Sequence, residues 1–396
     1  MLPLAVVVAG EVAAVVVLLY QGMALWLARE MPRLDPAPPD EGLGAAGSVS
    51  VVLAARDEEE ELGPALDSLL AQDLPLREIV VVEGGSRDRT RSVVAARAPR
   101  VRLVDEPPLP AGWVGKSWAC WTGAQVTTGP WILFVDADVR VHPAAVRTTV
   151  AWAEREGAGL ATLAPRVEMV GFWERVVLPL YVQFVLTTFR APHVNRDRSR
   201  TAMANGQYWL ARRSDYLAVG GHAAVRTKVL EDVAIARRFR DAGRSLRIAW
   251  APELATTRMY RDRHEMFEGI LKNVHGTRFS ATRQAAFLAG LIGLFWLPLA
   301  VLPVGVVFAS VPLAVTGAVL WVALFGKHAA FSRAVGAPAV DGLLFPLAIG
   351  FYVVAVATSL GRGLRGGSIT WKGRSYPLDD GPATGAGSDG AGRAAR

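Results

Sequence analysis

The sequence predicts a doubly wound, Rossmann-like α/β domain held to a membrane by apolar helices. Three observations predict it. Short runs rich in apolar and β-branched residues, at 49–54, 79–82, 101–104 and 131–135, alternate with stretches of helical pattern, the order of a largely parallel sheet. Acidic and glycine-rich loops follow these runs, and ligands bind at the carboxyl ends of strands in such sheets. Apolar blocks at residues 3–28, 285–325 and 343–360 flank the domain, and about 20 apolar residues cross a bilayer.

The first block, residues 1–28, is interrupted only by Glu11. No basic residue precedes it and no small-residue cleavage site follows, so an uncleaved anchor is expected rather than a signal peptide. Residues 29–46, rich in Pro and Gly, are expected to be a linker. The domain then spans residues 47–283. Its first strand leads into Arg56, Asp57, Glu58, Glu59 and Glu60, acidic residues that suit the positive end of a helix. The second strand leads into Glu83-Gly84-Gly85-Ser86, where two glycines permit close backbone approach and Ser86 is placed to cap a helix. The fourth, 131–135, closes on Asp136-Ala137-Asp138. Alternate strand residues share a face, so both carboxylates are able to converge on one hard cation. A solvated acidic turn is the plainer alternative. Glu231-Asp232 is a second carboxylate pair, at the start of a helical pattern; simple helix-start acidity would also account for it.

Residues 284–361 are expected to hold two to three membrane helices, split near Ser310-Val311-Pro312, and residues 362–396 a polar, partly disordered tail. Arg29 and Arg33 after the first span, and Lys327 and Arg333 between later ones, fit a cytoplasmic catalytic domain on a multi-pass membrane protein. The tail then falls outside although it carries Arg362, Arg365, Lys372 and Arg374, which conflicts with the same rule. Residues 171–190 have an apolar centre too short to span, with Trp173 and Arg175 at one end and Arg190 at the other. An interfacial helix is expected there, a buried core helix being the alternative. The basic stretch 195–200 beside it is expected to be a mobile loop near lipid headgroups.

A single cysteine, Cys120, excludes an internal disulfide and a cysteine zinc cluster. The net charge of +7 suits anionic headgroups. Nucleic acid is not expected, because the basic residues are dispersed and no recognised motif accompanies them. G-x-G-x-x-G and G-x-x-x-x-G-K-[ST] are absent, which disfavours dinucleotide binding and P-loop hydrolysis.

Taken in order, SVVLAARDEEE, VVVEGGSRDRT, FVDAD and VLEDV resemble inverting glycosyltransferase family 2, which has the GT-A fold. The resemblance covers nearly all of the chain. PPLPAGWVGKSWAC, ANGQYWLARRSDY, VGGH and ITWKGRSYP are similar to membrane-anchored members that act on lipids, including carotenoid, hopanoid-associated and ceramide-type enzymes.

The resemblance implies roles. Arg56 and Glu58 would hold the nucleoside of a nucleotide-sugar, and Glu83 would contact its base, although the family usually has Asp there. Asp88 would order the same loop, and Lys116 would sit by the diphosphate. Asp136 and Asp138 would hold Mg²⁺ or Mn²⁺, with Asp232 as general base beside Glu231. Gly206, Gln207 and His222 would approach the sugar or the acceptor. The Q-x-x-R-W of processive members is missing; the region holds Lys272, Asn273 and His275 instead, so one sugar per acceptor is expected. The acceptor would be a terpenoid, carotenoid, hopanoid or sphingoid lipid, with a polyprenyl phosphate as the alternative. A non-catalytic membrane scaffold is the rival of another class. A transporter is disfavoured by spans with few polar groups, and a nucleotidyltransferase by the missing Gly- and Arg/Lys-rich signature after the first strand.

Overall fold

The computed structural model describes residues 2–38, 47–276, 281–365, 368–371 and 374–377. The end of the anticipated linker and most of the anticipated disordered tail lie outside the described residues. Helix α1 (Leu2–Glu30) precedes the domain. The first half alternates β1 (Val49–Ala55), α2 (Leu62–Leu70), β2 (Glu78–Glu83), α3 (Thr90–Ala95), β3 (Arg102–Asp105), α4 (Gly115–Val126) and β4 (Trp131–Val135). The second half holds β5 (Val139–Val141), α5 (Ala145–Arg155), β6 (Leu160–Ala164), β7 (Arg166–Val167), α6 (Phe172–Phe189), β8 (Tyr208–Arg212), α7 (Arg213–Ala218), α8 (Glu231–Asp241), β9 (Leu246–Trp250) and β10 (Ala255–Thr257).

Seven strands form one sheet in the order β3-β2-β1-β4-β8-β6-β9. The first four are mutually parallel, as are β6 and β9. This is the largely parallel sheet that uncharged strands call for: β1 buries residues on both faces, with Val51 and Leu53 in one core layer and Val52 in the other. β8 is the departure. It runs antiparallel between β4 and β6, and alternation of uncharged runs carries no sign of strand direction. A small sheet, β5-β10-β7, lies beside the main one.

Four helical stretches are long and apolar enough to cross a membrane: Val7–Glu30, Ala281–Val307, Val311–Ala334 and Asp341–Leu364. The chain reaches them through α9 (Arg263–Gly276). The second stretch comprises α10 (Ala281–Leu291), a wide π-type turn at Ile292–Trp296 and α11 (Leu297–Val307); the others are α12 (Val311–Ala334) and α13 (Phe345–Leu364). α11 ends at Val307 and α12 begins at Val311, beside the split anticipated near Ser310-Val311-Pro312. β11 (Ser368–Trp371) and β12 (Arg374–Pro377) form a terminal hairpin. α1, α11 and α12 pack on one another, whereas α13 lies against α6, α9 and α10.

Two expected loose segments are pinned. After α1, Pro32 accepts from the Trp250 N–H at 2.8 Å and the Leu34 N–H donates to the Trp250 carbonyl at 2.9 Å. Thr148 then accepts from the Ala37 N–H at 3.0 Å. In 195–200, the Asn195 amide pairs with both backbone groups of Ile248, and Asp197 accepts from Arg247 and Ser245, each at 2.8 Å. Basic residues alone hide these anchors, because the partners lie about 50 residues downstream. α6, expected at the membrane interface with a buried core helix as the alternative, is enclosed around its whole circumference at its centre: Val176, Val177, Leu178, Pro179 and Leu180 are buried in succession, and its first-turn Glu174 accepts from Arg258 at 2.9 and 3.3 Å.

α4 is held tight to the sheet because Gly123 has no Cβ; one added there would lie 2.4 Å from a Val52 methyl and 3.2 Å from a Val82 methyl. Gly123→Ala is expected to lower stability by about 1–3 kcal/mol, the usual cost of overpacking. A thermal unfolding midpoint equal to that of the parent protein would refute this packing.

Candidate active site

β1, β2 and β4 run parallel, so the loops after them open on the same edge of the sheet. Because β8 runs the other way, its beginning meets that edge as well: the Asp136 N–H donates to the Gln207 carbonyl at 3.0 Å. The starts of α4 and α8 complete the ring, bringing in Lys116 and Glu231-Asp232. The resulting cavity has a volume of about 680 Å³. Arg56, Glu58, Lys116, Asp136, Asp138, Gly206, Gln207, Glu231 and Asp232 all line it. These residues, far apart in sequence, are brought together as expected.

Lys116 is the hub. Its Nζ lies 2.6 Å from Asp136 and 3.2 Å from Glu231. Burial works against the ammonium, but the two carboxylates outweigh it and hold the Lys116 pKa well above that of an ordinary lysine. Asp232 turns the other way. It accepts from its neighbour Val233 N–H and from the Gly206 N–H, both at 2.7 Å. Only glycine leaves this second approach open, since a Cβ at Gly206 would stand 2.9 Å from the Asp232 carboxylate and 3.4 Å from Lys116. Burial first, then the Glu231 charge, raises the Asp232 pKa well above the usual carboxylate range, against the opposing pull of Lys116.

Asp138 accepts from the Thr257 hydroxyl at 3.0 Å. Its pKa is raised by burial and then by the negative charges of Asp136 and Glu58. A carboxylate destabilised by like charges is a place where a cation gains energy. Among the described residues no cluster of three or more His, Cys, Asp or Glu side chains forms a ready-made metal cage. All-oxygen donors on two aspartates still fit Mg²⁺ or Mn²⁺, because such ions commonly take one or two carboxylates and complete their shell from water and phosphate.

The loops that follow β1 and β2 are interlocked. Asp88 accepts from the Glu59 N–H at 2.9 Å, Thr90 from the Glu58 N–H at 2.7 Å, and Ser86 from the Asp57 N–H at 3.0 Å. The expectation that Asp88 orders this loop matches that bonding. Glu83 is placed differently from its expected role. Its carboxylate is buried, accepts the Ser86 N–H and lies 3.4 Å from Arg91, and it does not line the cavity. Glu106, unremarked in the sequence, does line it.

His222 does not join the site either. It sits in an aromatic core with Phe134, Trp209 and Tyr216, its Nδ1 2.8 Å from the Tyr216 hydroxyl. The two preceding glycines, both at positive φ, let the ring turn inward past Tyr216. Thr257 and Tyr181 belong to the site without any sequence signal for it. Thr257 lies in a three-residue strand with no distinguishing pattern, and Tyr181 falls among the apolar positions of α6. Tyr181 faces the cavity, and burial together with the Asp232 charge raises its pKa to about 12. Beyond it the wall turns apolar: Val182, Phe184, Val185 and Phe189 of α6, Phe287 of α10, and Tyr352 and Val356 of α13.

Comparison with known proteins bears on the family and the fold. Residues 50–220 match the model of glycosyl transferase family 2. A 4,4'-diaponeurosporenoate glycosyltransferase of Staphylococcus aureus is 26% identical over 341 residues, covering 84% of this chain and 88% of that protein. The enzyme of the same name from Staphylococcus haemolyticus is 26% identical over 194 residues, about half of each chain. A mannosyltransferase of Pyrobaculum calidifontis, solved with GDP-Man and Mn²⁺, superposes with a TM-score of 0.52 over 90% of this chain and 97% of that one, at 17% identity. It shares the GT-A fold.

Burial lowers the His222 pKa to about 3, with Lys116 adding to the effect. The unfolded chain binds this proton below about pH 6.5 and the folded chain does not, so acid removes stability by up to about 1.4 kcal/mol per pH unit. The unfolding midpoint is expected to fall between about pH 6.5 and 4, and less steeply in His222→Gln. Equal slopes in the two proteins would show that His222 is not buried as a neutral ring.

Proposed function

We propose, from the premise that this chain is a family 2 glycosyltransferase, that it moves one sugar from a nucleotide-sugar to a membrane lipid with an extended apolar body. The observation that carries this reading is the composition of a single cavity. Its polar end gathers Lys116, Asp136, Asp138, Glu231 and Asp232, and its other end is a wall of aliphatic and aromatic side chains from α6, α10 and α13. A soluble acceptor has no use for such a wall, whereas burying a hydrocarbon against it is favourable by about 25 cal/mol per Å². The staphylococcal relatives are named for a carotenoid-type acceptor, which makes a terpenoid chain the first candidate.

In this reading Arg56 and Glu58 border the nucleoside, and Lys116 neutralises charge near the diphosphate. Asp138 and Asp136 are the residues that would hold Mg²⁺ or Mn²⁺. When bound, the ion would supply charge stabilisation to the leaving diphosphate. Asp232 takes the proton of an acceptor hydroxyl as that oxygen attacks the anomeric carbon, and the nucleoside diphosphate departs from the opposite face, inverting the centre. The raised Asp232 pKa suits a base working near neutral pH. Its fixed bonds to Gly206 and Val233 hold the carboxylate still. Arg29 lies in the last turn of α1, Arg33 follows it, and Arg333 lies in the last turn of α12, which supports a cytoplasmic catalytic domain.

A second reading concerns the acceptor's reacting group. Lys272 also lines the cavity, and a second cation there suits an acceptor that arrives ionised, as a carboxylate or a phosphate. Such an acceptor needs no base.

The test uses the purified full-length protein with nucleotide-sugar, Mn²⁺ and membrane lipid extract, with mass spectrometry of the products. Asp232→Asn is expected to keep donor affinity and to lose about 10²–10⁴-fold in transfer to a hydroxyl acceptor. The parent rate is expected to climb from acid toward neutral pH as Asp232 deprotonates. Lost donor binding in Asp232→Asn would remove the base assignment, and a mild defect would favour the ionised acceptor. Asp138→Ala is expected to abolish metal-dependent donor binding; full turnover by that variant in chelator would sink the metal assignment.

A further inference from the structure

We propose that α13 does not cross the membrane. It lies in the leaflet on the side of the catalytic domain and forms the lipid-facing roof of the cavity. By length and composition Asp341–Leu364 qualifies as a span, but its contacts tell against one. Asp341, just before the helix, pairs with Arg175 in the first turn of α6 at 2.7 Å. Arg362, in its last turn, lies 3.7 Å from Glu268 of α9. Both partners belong to helices continuous with the catalytic domain, so both ends of α13 are held on one side. A crossing helix would carry its far end about 30 Å away.

α13 packs on α6 and α9, as well as on α10 of the second apolar stretch, and its first residue Phe345 meets Phe325 of α12; α1, α11 and α12 pack chiefly on one another. Beyond α13, strand β11 also packs against α9. One stripe of the helix is buried, at Phe345, Ala348, Ile349, Tyr352, Ala355, Val356 and Ser359. The other face exposes Leu347, Val354 and Leu364. A helix apolar on both faces, with one covered by protein, needs hydrocarbon on the other. Tyr352 and Val356 on the covered stripe line the cavity, which places the acceptor between α13 and the catalytic domain. Three crossings then leave the tail on the domain side, and Arg362, Arg365, Lys372 and Arg374 no longer break the charge rule.

Single cysteines in a Cys120→Ser background report the sidedness, using a membrane-impermeant maleimide on right-side-out and inverted vesicles. Ser92→Cys marks the domain, Ser310→Cys the turn between α11 and α12, and Ser388→Cys the tail. Ser388→Cys is expected to label from the same side as Ser92→Cys and opposite to Ser310→Cys. Labelling together with Ser310→Cys would show that α13 crosses and would overturn the proposal, whatever the enzyme transfers.

A separate observation concerns the donor, and rests on the glycosyltransfer reading. We infer that Glu106, rather than Glu83, reads the nucleobase, and that the base carries a ring N–H, as uracil and guanine do. The crevice at the ends of β1, β2 and β3 is where a nucleoside lies in this class of sheet. There Arg56 donates to the Gly84 carbonyl at 2.9 Å. The Glu106 carboxylate stands over Gly84, 3.0 Å from where a Cβ would be, and its N–H is fixed to the Glu83 carbonyl at 2.9 Å. Glu83 is engaged by Ser86 and Arg91 outside the cavity wall. A carboxylate accepts from uracil N3–H or guanine N1–H, but it opposes the lone pairs at cytosine N3 and adenine N1.

Calorimetry with UDP, CDP, GDP and ADP in Mn²⁺ tests this on the full-length protein. UDP is expected to bind about 10–100-fold more tightly than CDP, the range of one charge-assisted hydrogen bond. Glu106→Gln is expected to collapse that ratio, and Glu83→Gln to preserve it even if all affinities fall. Collapse in Glu83→Gln alone would overturn the inference. Failure of all four nucleotides to bind would overturn the glycosyltransfer reading, and this inference with it.

Discussion

One shared ammonium organises the catalytic end of this protein. Lys116 is held by Asp136 from the end of a central strand and by Glu231 from the start of a helix. Glu231 is buried and Asp136 partly so, and a buried carboxylate left without a partner is costly. The pairing ties α4, β4 and α8 at a single point. Gly206 follows from it: the β8 approach lies within reach of both Lys116 and Asp232, and a side chain there would strike one or the other.

The same charge distribution divides labour among four acids that are alike in sequence. Asp136 and Glu231 are neutralised by Lys116. Asp138 and Asp232 are left with burial and like-charged neighbours, and both are pushed up. A carboxyl pushed up in this way is responsive to whatever arrives, which in the proposed function is a cation at Asp138 and a proton at Asp232. Spacing along the chain predicts that these acids matter. It does not predict which of each pair is neutralised, because that depends on where one lysine points.

The legible part of the fold was the part written in local pattern. The β1 to β4 half is short apolar strands and helices in strict alternation, so its parallel order follows from the pattern. β8 carries the same apolar signature and runs the opposite way, since direction is decided by the path of the preceding chain. Loops that read as polar and loose, at 32–38 and 195–200, are fixed by a few long-range hydrogen bonds each, which leave no trace in periodicity. His222 misled for a related reason. A polar residue after two glycines resembles a site loop, but those glycines turn the ring inward to the Tyr216 hydroxyl. Glu106 was invisible because the end of a short, half-exposed strand carries no pattern at all.

The bond pair between Pro32, Leu34 and Trp250 has a mechanical consequence. It fastens the chain leaving α1 onto β9, an edge strand, and so blunts an edge that would otherwise be open to pairing with other chains. It also removes slack. A catalytic domain on a free tether would sample a range of heights above the bilayer, and each visit to a buried lipid would cost entropy. With the tether stitched to the sheet, the cavity stays at one altitude, and a lipid acceptor of the kind proposed above would need only to diffuse in two dimensions to reach it.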